Sequence, residues 1–274
     1  MIESGNETMR RLRFEDVQAA LQLSAQAGWN QTEEDWCTLL ELSPEGCLVM
    51  EVDGRLAATA TLLCYGRRLA WIGMVLTKLE YQRRGFAKTL LAIALDRAEK
   101  MGIETIKLDA TEQGRPLYER FGFRVEREIE RWSRTGDDVE PLPAGPASAD
   151  KPWYGSDSSI FGADRSQLLD RLAHRNPPIS ISNSYLFSRP GRVTAYLGPC
   201  ISEDPGIARR MIEECLQGTS CGWSWDLFPE NRAAVEMACD LGFYAQRHLV
   251  RMARGKKLRE RESAIYAIAG FEFG

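Results

Sequence analysis

Histidine is nearly absent: 274 residues hold only His174 and His248, far apart. Seven cysteines stand at 37, 47, 64, 200, 215, 221 and 239, an odd number with no Cys-x-x-Cys pair. Neither a zinc site nor a disulfide framework is signalled, so no metal is expected. Reduced thiols in a cytoplasmic protein are the simplest expectation, and a catalytic Cys lacks its usual His context. No stretch approaches the roughly 20 mostly apolar residues that a membrane-spanning helix needs. The first residues, Met-Ile-Glu-Ser-Gly-Asn-Glu, have no basic region followed by an apolar one, so no signal peptide is expected. Positive charge is not in excess: Lys+Arg is 35 against Asp+Glu 39, a net charge of −4. That argues against a general nucleic-acid or membrane-surface binder, which needs clustered positive charge.

What is present is an ordinary globular composition, 44% hydrophobic and 27% charged, in a chain long enough for two domains. A segment rich in Pro, Gly, Ala and acid begins near Gly136 and reads as a linker. The expected division is a first domain over 1–135, a linker over 136–158 whose Trp153 and Tyr154 could pin it to a surface, and a second domain over 159–274.

The first half alternates strand and helix. Asp53-Gly54 between Cys47–Val52 and Leu56–Cys64 is a hairpin signal. Thr32-Glu-Glu-Asp35 resembles a capping box. Gly85–Met101 carries Phe86, Leu90, Leu91, Ala94, Leu95 and Ala98 on one side and stops at Gly102. The second half repeats the order. Asp204-Pro205 opens a helix, Trp223–Phe228 is a strand whose Trp223 and Trp225 read as core, and Ala264–Phe273 reads as extended. Gly85 and Gly206 are 121 apart, as are Ala87 and Ala208; Phe121-Gly-Phe123 and Leu241-Gly-Phe243 are 120 apart. A tandem duplication accounts for this, with one strand missing from the second copy.

The segment that carries chemistry runs from Met74 to Leu91. A strand ends, a polar loop follows, and a helix opens at Gln82-x-x-Gly85-x-Ala87. The first turn of a helix leaves backbone N–H groups unpaired, and its dipole adds positive potential. Gly and Ala let a pyrophosphate approach the main chain, while Arg83 and Arg84 add charge. Taken alone, this could be a capped surface helix with solvated arginines. A second segment stands at a suitable distance: Thr105–Thr111 followed by Pro116-Leu-Tyr118-Glu-Arg-Phe121-Gly-Phe.

Together these two segments resemble the hallmark motifs of the Gcn5-related N-acetyltransferase (GNAT) superfamily, over roughly Thr8–Arg134. The resemblance implies an α/β (α+β) fold class: tandem domains, each a mixed, mainly antiparallel sheet flanked by helices. It implies acetyl coenzyme A as co-substrate, held by Val75, Leu76 and Thr77 on a splayed strand and by Gln82, Arg83, Arg84, Gly85, Phe86, Ala87 and Lys88 at the loop. It implies Tyr118 as the acid that protonates the departing thiolate; otherwise Tyr118 packs beside Leu117 and Phe121. Thr111 stands where many members carry Asn. No Glu lies on the Leu69–Leu76 strand, where a general base is often found, which leaves Asp109, Glu112 or a water chain; Asp109 could equally be a hydrogen-bonded strand end.

Trp29, Asn30 and Trp36 fall between helices that border the acceptor site in this fold, and could contact substrate or fill a hinge. The second half resembles a degenerate domain of the same superfamily. Glu203-Asp204-Pro205 replaces the basic loop, Asn231 persists at the offset of Thr111, and Ala238 stands where Tyr118 would. The expected function is acetyl transfer from acetyl coenzyme A to the primary amine of a small molecule. The alternatives are a non-catalytic acyl coenzyme A sensor or scaffold, or an acyltransferase with another acyl group or acceptor. The acceptor and the oligomeric state are not legible in the sequence.

Overall fold

The structure, a computed structural model, describes residues 6–136, Leu142 and 153–274. Most of the expected linker, and the side chains of Trp153 and Tyr154, lie outside the described residues.

The first half runs β1 (Glu7–Arg11), α1 (Val17–Gln26), α2 (Glu33–Leu42), β2 (Cys47–Val52), β3 (Arg55–Tyr65), β4 (Leu69–Thr77), α3 (Phe86–Lys100), β5 (Thr105–Ala110), α4 (Arg115–Arg120) and β6 (Arg124–Arg134). Local chemistry explains several boundaries. Asp53 and Gly54 both have positive φ, 51° and 74°, as a two-residue hairpin turn that follows the strand twist requires. Thr32 and Asp35 form the reciprocal capping box of α2.

The second half runs α5 (Trp153–Phe161), α6 (Ser166–Arg175), β7 (Ile179–Ile181), β8 (Ser184–Arg189), β9 (Ala195–Ile201), α7 (Pro205–Leu216), β10 (Trp223–Leu227), α8 (Arg232–Asp240), β11 (Tyr244–Gly255) and β12 (Ile265–Ala267). Three strands precede its crossover helix α7, where four precede α3. Trp223 and Trp225 are core, as read. The expected extended run over Ala264–Phe273 is strand only at β12; beyond it the chain folds into a turn, with Gly270 at φ 126°.

Among the described residues, all twelve strands join one sheet in the order β1-β2-β3-β4-β5-β11-β6-β10-β9-β8-β7, with β12 added to β9. The sheet is mixed and mainly antiparallel: only β4–β5 and β9–β10 are parallel, the pairs bridged by α3 and α7. The halves exchange strands. β11, late in the chain, inserts between β5 and β6, and β6 borders β10 of the second half. Neither half therefore has a complete sheet without the other.

Two buried ion pairs mark the exchange. In register across β5 and β11, Arg251 donates Nε to Asp109 Oδ1 at 2.9 Å and Nη2 to Oδ2 at 3.0 Å. Across β6 and β10, Arg131 donates Nε to Asp226 Oδ1 at 2.7 Å and Nη2 to Oδ2 at 2.6 Å. In each case the aspartate of one half meets the arginine of the other. Buried Lys107 adds a third link, to Glu126 at 2.6 Å and to Glu260 of the second half at 2.7 Å. On one face a hydrophobic cluster runs through both halves, from Trp36, Leu39 and Trp71 to Leu168, Tyr185 and Phe273. The opposite face carries separate clusters under α3 and under α7 with α8.

Removing one partner of a buried pair leaves an uncompensated charge, typically at a cost of about 3–5 kcal/mol. Asp226→Asn is therefore expected to lower the unfolding free energy by about 3–5 kcal/mol, measured by urea denaturation, since Arg131 would lose its bidentate partner.

Candidate active site

β4 and β5 pair only through Leu69–Trp71 and Thr105–Lys107, then diverge. On its other side, β4 fits one extra residue against β3: Thr59 opposes Leu76 while Thr61 opposes Gly73. Met74 in this bulge has φ 50°, and its carbonyl accepts a hydrogen bond from Thr59 Oγ1 at 2.7 Å. A bulge bends a strand and re-aims its side chains. Here it accompanies the opening of the sheet between β4 and β5.

A groove of about 500 Å³ lies at the mouth of this opening, lined by Thr77, Gln82, Arg83, Gly85, Phe86, Ala87 and Lys88 together with Thr111, Gln113 and Gly114. Gly85 is the N-cap of α3 at φ 88°, a conformation suited to glycine, and has no side-chain cap. The first helical bond runs from Thr89 N–H to Gly85 C=O, so the amides of Phe86, Ala87 and Lys88 precede it.

Arg84 pairs with Glu7 at 2.5 Å and lies over the rings of Tyr81 and Phe86, both of which line the groove. The Leu76 side chain packs into the core shared by both halves, because alternate strand residues face opposite ways, which leaves its backbone on the open edge of β4.

A second cavity, about 120 Å³, adjoins the groove and shares Thr111 and Gly114 with it. Its walls include Val75, Trp29, Asp109 and Tyr118. Tyr118 is packed against Phe123, and burial pushes its phenol up to about 12, so it stays protonated at neutral pH. Its hydroxyl has no hydrogen-bond partner among the described residues. Thr111 Oγ1 accepts from the Gly114 amide at 3.1 Å and so shapes the turn into α4. Asp109 borders the cavity, but Arg251 engages both of its oxygens. Burial raises its pKa, against the pull of the guanidinium. This pairing matches the reading of Asp109 as a hydrogen-bonded strand end.

Two of the expected substrate residues are corrected. Trp36 is fully buried in the shared core, with Nε1 3.4 Å from Ser24 Oγ. The Asn30 side chain is spent on the second half: Nδ2 donates to Thr194 C=O at 2.9 Å, and Oδ1 accepts from the amides of Val193 and Thr194. Trp29 alone of the three lines the cavity.

The sequence reading missed Gln31, Arg131, Arg247 and Glu272, all in the cavity wall. Arg131 and Arg247 arrive on the exchanged strands. Glu272 is brought by the segment after β12, which is held against β4: Trp71 Nε1 donates to Phe271 C=O at 2.9 Å, and Tyr65 Oη to Phe273 C=O at 2.5 Å. Buried Glu272 accepts from Arg189 Nη2 at 2.6 Å and Gln31 Nε2 at 2.8 Å. A lone carboxylate in the apolar run Ala264–Phe273 was the available signal, since buried charges need partners.

In the second half the corresponding places are filled by the chain itself. The Asp204 carboxylate accepts from the amides of Gly206 at 2.7 Å and Ile207 at 3.2 Å at the start of α7, and Pro205 has no N–H. β12 pairs with β9 beside β10, with Trp225 Nε1 donating to Tyr266 C=O and the Ile268 amide to Asp226 C=O. Asn231 caps α8 and donates Nδ2 to Ile265 C=O at 2.9 Å. Ala238 is buried.

The site thus combines a helix N-terminus with free amides, a splayed parallel strand pair and a tyrosine at its inner end. Family models agree for both halves: residues 12–123 match the acetyltransferase (GNAT) family and residues 155–267 an acetyltransferase (GNAT) domain. The chain belongs to the GNAT acetyltransferases, as two such domains in tandem, and is an N-acetyltransferase enzyme. It is 25% identical to the uncharacterized N-acetyltransferase YitH of Bacillus subtilis, over 96% of this chain and 97% of that protein. A shorter likeness, 33% over 42% of each chain, relates it to a mycothiol acetyltransferase of Acidimicrobium ferrooxidans. Among solved structures, a Pyrococcus horikoshii protein described as an acetyltransferase shares its fold with a TM-score of 0.82 at 20% identity, over 100% of this chain and 97% of that one. A GCN5-related N-acetyltransferase of Sphaerobacter thermophilus does so at 0.65 and 15%, over 93% and 97%.

Asn231 ties β12 to α8, so Asn231→Ala removes a helix cap and leaves buried carbonyls unpaired. It is expected to cost about 1–3 kcal/mol and to speed amide exchange across residues 264–268, read by native-state hydrogen exchange.

Proposed function

We propose that the groove along Thr77–Lys88 takes acetyl coenzyme A, that the adjoining cavity takes the primary amine of a small molecule, and that acetyl passes between them. The observation that carries this reading is the junction of the two spaces at Thr111 and Gly114, with Tyr118 in the wall. The pyrophosphate would rest on the amides of Phe86–Lys88, with Arg83 and Lys88 adding charge. The pantetheine arm would pair with the open edge of β4 beyond Trp71 and deliver the thioester towards Val75.

The amine enters unprotonated, and its lone pair attacks the thioester carbonyl carbon. The C–N bond forms, and the backbone N–H groups near Val75 stabilise the developing oxyanion. The C–S bond then breaks, and Tyr118 gives its proton to sulfur. The nitrogen sheds one proton, which restores Tyr118, so one amine and one thioester become one amide and one thiol. Asp109, held by Arg251, positions the wall; holding the amine beside the thioester supplies much of the rate.

Gly85→Glu is expected to abolish acetyl coenzyme A binding in calorimetry, because bulk and negative charge would enter the phosphate path. Gly206→Glu is expected to leave a single-site titration unchanged, since Asp204 already occupies those amides. Two-site binding, or lost affinity in the Gly206 variant, would contradict the assignment. Tyr118→Phe is expected to lower turnover about 10²–10⁴-fold with little change in coenzyme affinity. An unchanged chemical step would leave Tyr118 a packing residue.

A further inference from the structure

Four charged side chains line the acceptor cavity: Asp109, Arg131, Arg247 and Glu272. Asp109 is paired with Arg251, Arg131 with Asp226, and Glu272 with Arg189. Arg247 has neither an ion pair nor a hydrogen bond among the described residues. It is half-buried, and burial together with the charge of Arg131 lowers its pKa.

Its placement makes this costly. The β11–β6 ladder slips at Gln246, so that Ala245 opposes Trp132 and Arg247 opposes Arg131 directly. Like charges directly across a strand pair destabilise a sheet, and bulges re-aim side chains towards sites. Asp226 already answers Arg131 with both oxygens. The remaining positive charge in the cavity is therefore that of Arg247.

Gln31 offers the opposite polarity. Its Nε2 donates to Glu272 Oε2, which fixes the amide's orientation, because a carboxylate accepts. Its Oε1 is then left buried without a partner among the described residues. A buried carbonyl oxygen of this kind needs an N–H or O–H donor. Trp29, Leu249 and Phe271 supply apolar wall to the same cavity.

We infer that the acceptor is an amino acid or a close relative of one: an amine that also carries a carboxylate, the carboxylate held by Arg247 and the nitrogen by Gln31 Oε1. This rests on the cavity being the acceptor end of the site. A carboxylate against a guanidinium forms strong charge-assisted hydrogen bonds and neutralises the unanswered charge. An uncharged amine would leave Arg247 desolvated and unpaired.

The test uses the full chain, acetyl coenzyme A and the common L-α-amino acids, each beside its carboxamide and its decarboxylated amine, with thiol release followed. At least one free amino acid should exceed its carboxamide in kcat/KM by about 30-fold or more, the scale for losing one partner of a desolvated charge pair. Arg247→Gln should collapse that ratio to within about three-fold, through KM rather than kcat, and Arg247→Lys should restore part of it. Calorimetry with the same amino acids, without coenzyme, should show binding that Arg247→Gln weakens. The inference is overturned if carboxamides or decarboxylated amines match the free acids, or if Arg247→Gln changes all substrates alike. It is also overturned if no amino acid in the panel binds or is acetylated. Separate titration with acetyl coenzyme A keeps the outcomes apart: coenzyme binding without amino-acid binding sinks this inference alone, whereas loss of coenzyme binding sinks the cofactor reading.

Discussion

The bidentate pairs Asp109–Arg251 and Asp226–Arg131 hold the molecule in its shape, because each lies across a strand boundary that the two halves share. Two folds joined only by a linker could drift apart. Here β11 completes the edge of β5, and β6 completes the edge of β10. Taking a carboxylate and a guanidinium out of water is expensive, and the expense is met only when both are in register. The pairs therefore act as register marks: a one-residue slip would send each arginine to the other face of the sheet. The same exchange brings Arg131, Arg247 and Leu249 to the wall of a cavity that residues of the first half and the segment after β12 also line.

The two copies have solved the same cleft differently. In the first, the diverging strands and the bare start of α3 leave a groove with free amides. In the second, Asp204 supplies the anion and β12 supplies the extended chain. Polar backbone groups at such a cleft need partners in either case. The chain that fills the second cleft continues into the first half and lays Glu272 on the cavity wall, packed so closely on β4 that a side chain on Gly73 would meet the Glu272 backbone at 3.1–3.2 Å. The filling of one cleft and the walling of the other cavity thus share a single segment.

Local signals were the legible ones. The hairpin at Asp53-Gly54, the capping box at Thr32 and the glycine at the head of α3 each state their conformation within a few residues, and all three stand in the structure. The Gly-x-Ala loop and Tyr118 fell on the groove and its inner end for the same reason. What the sequence hid depends on pairing across long separations. Nothing local to Tyr244–Gly255 says that it inserts between β5 and β6. Asn30 and Trp36 have side chains suited to a ligand or to a joint between helices, and only the second half's loop at 192–194 and the shared core show that they serve the latter. Asp109 reads equally as a base or as a hydrogen-bonded strand end, and the partner that holds it lies 142 residues away.

The filled cleft has a thermodynamic consequence. A groove occupied by a diffusing molecule adds stability by mass action, growing with the logarithm of that molecule's concentration. A groove occupied by covalently attached chain adds a constant amount, whatever the surroundings supply. With acetyl coenzyme A in the first groove, as proposed, one half of this protein is tuned by its environment and the other is insulated from it. Because a single sheet runs through both, a rise in melting temperature caused by ligand at the first groove should be felt as far away as β7.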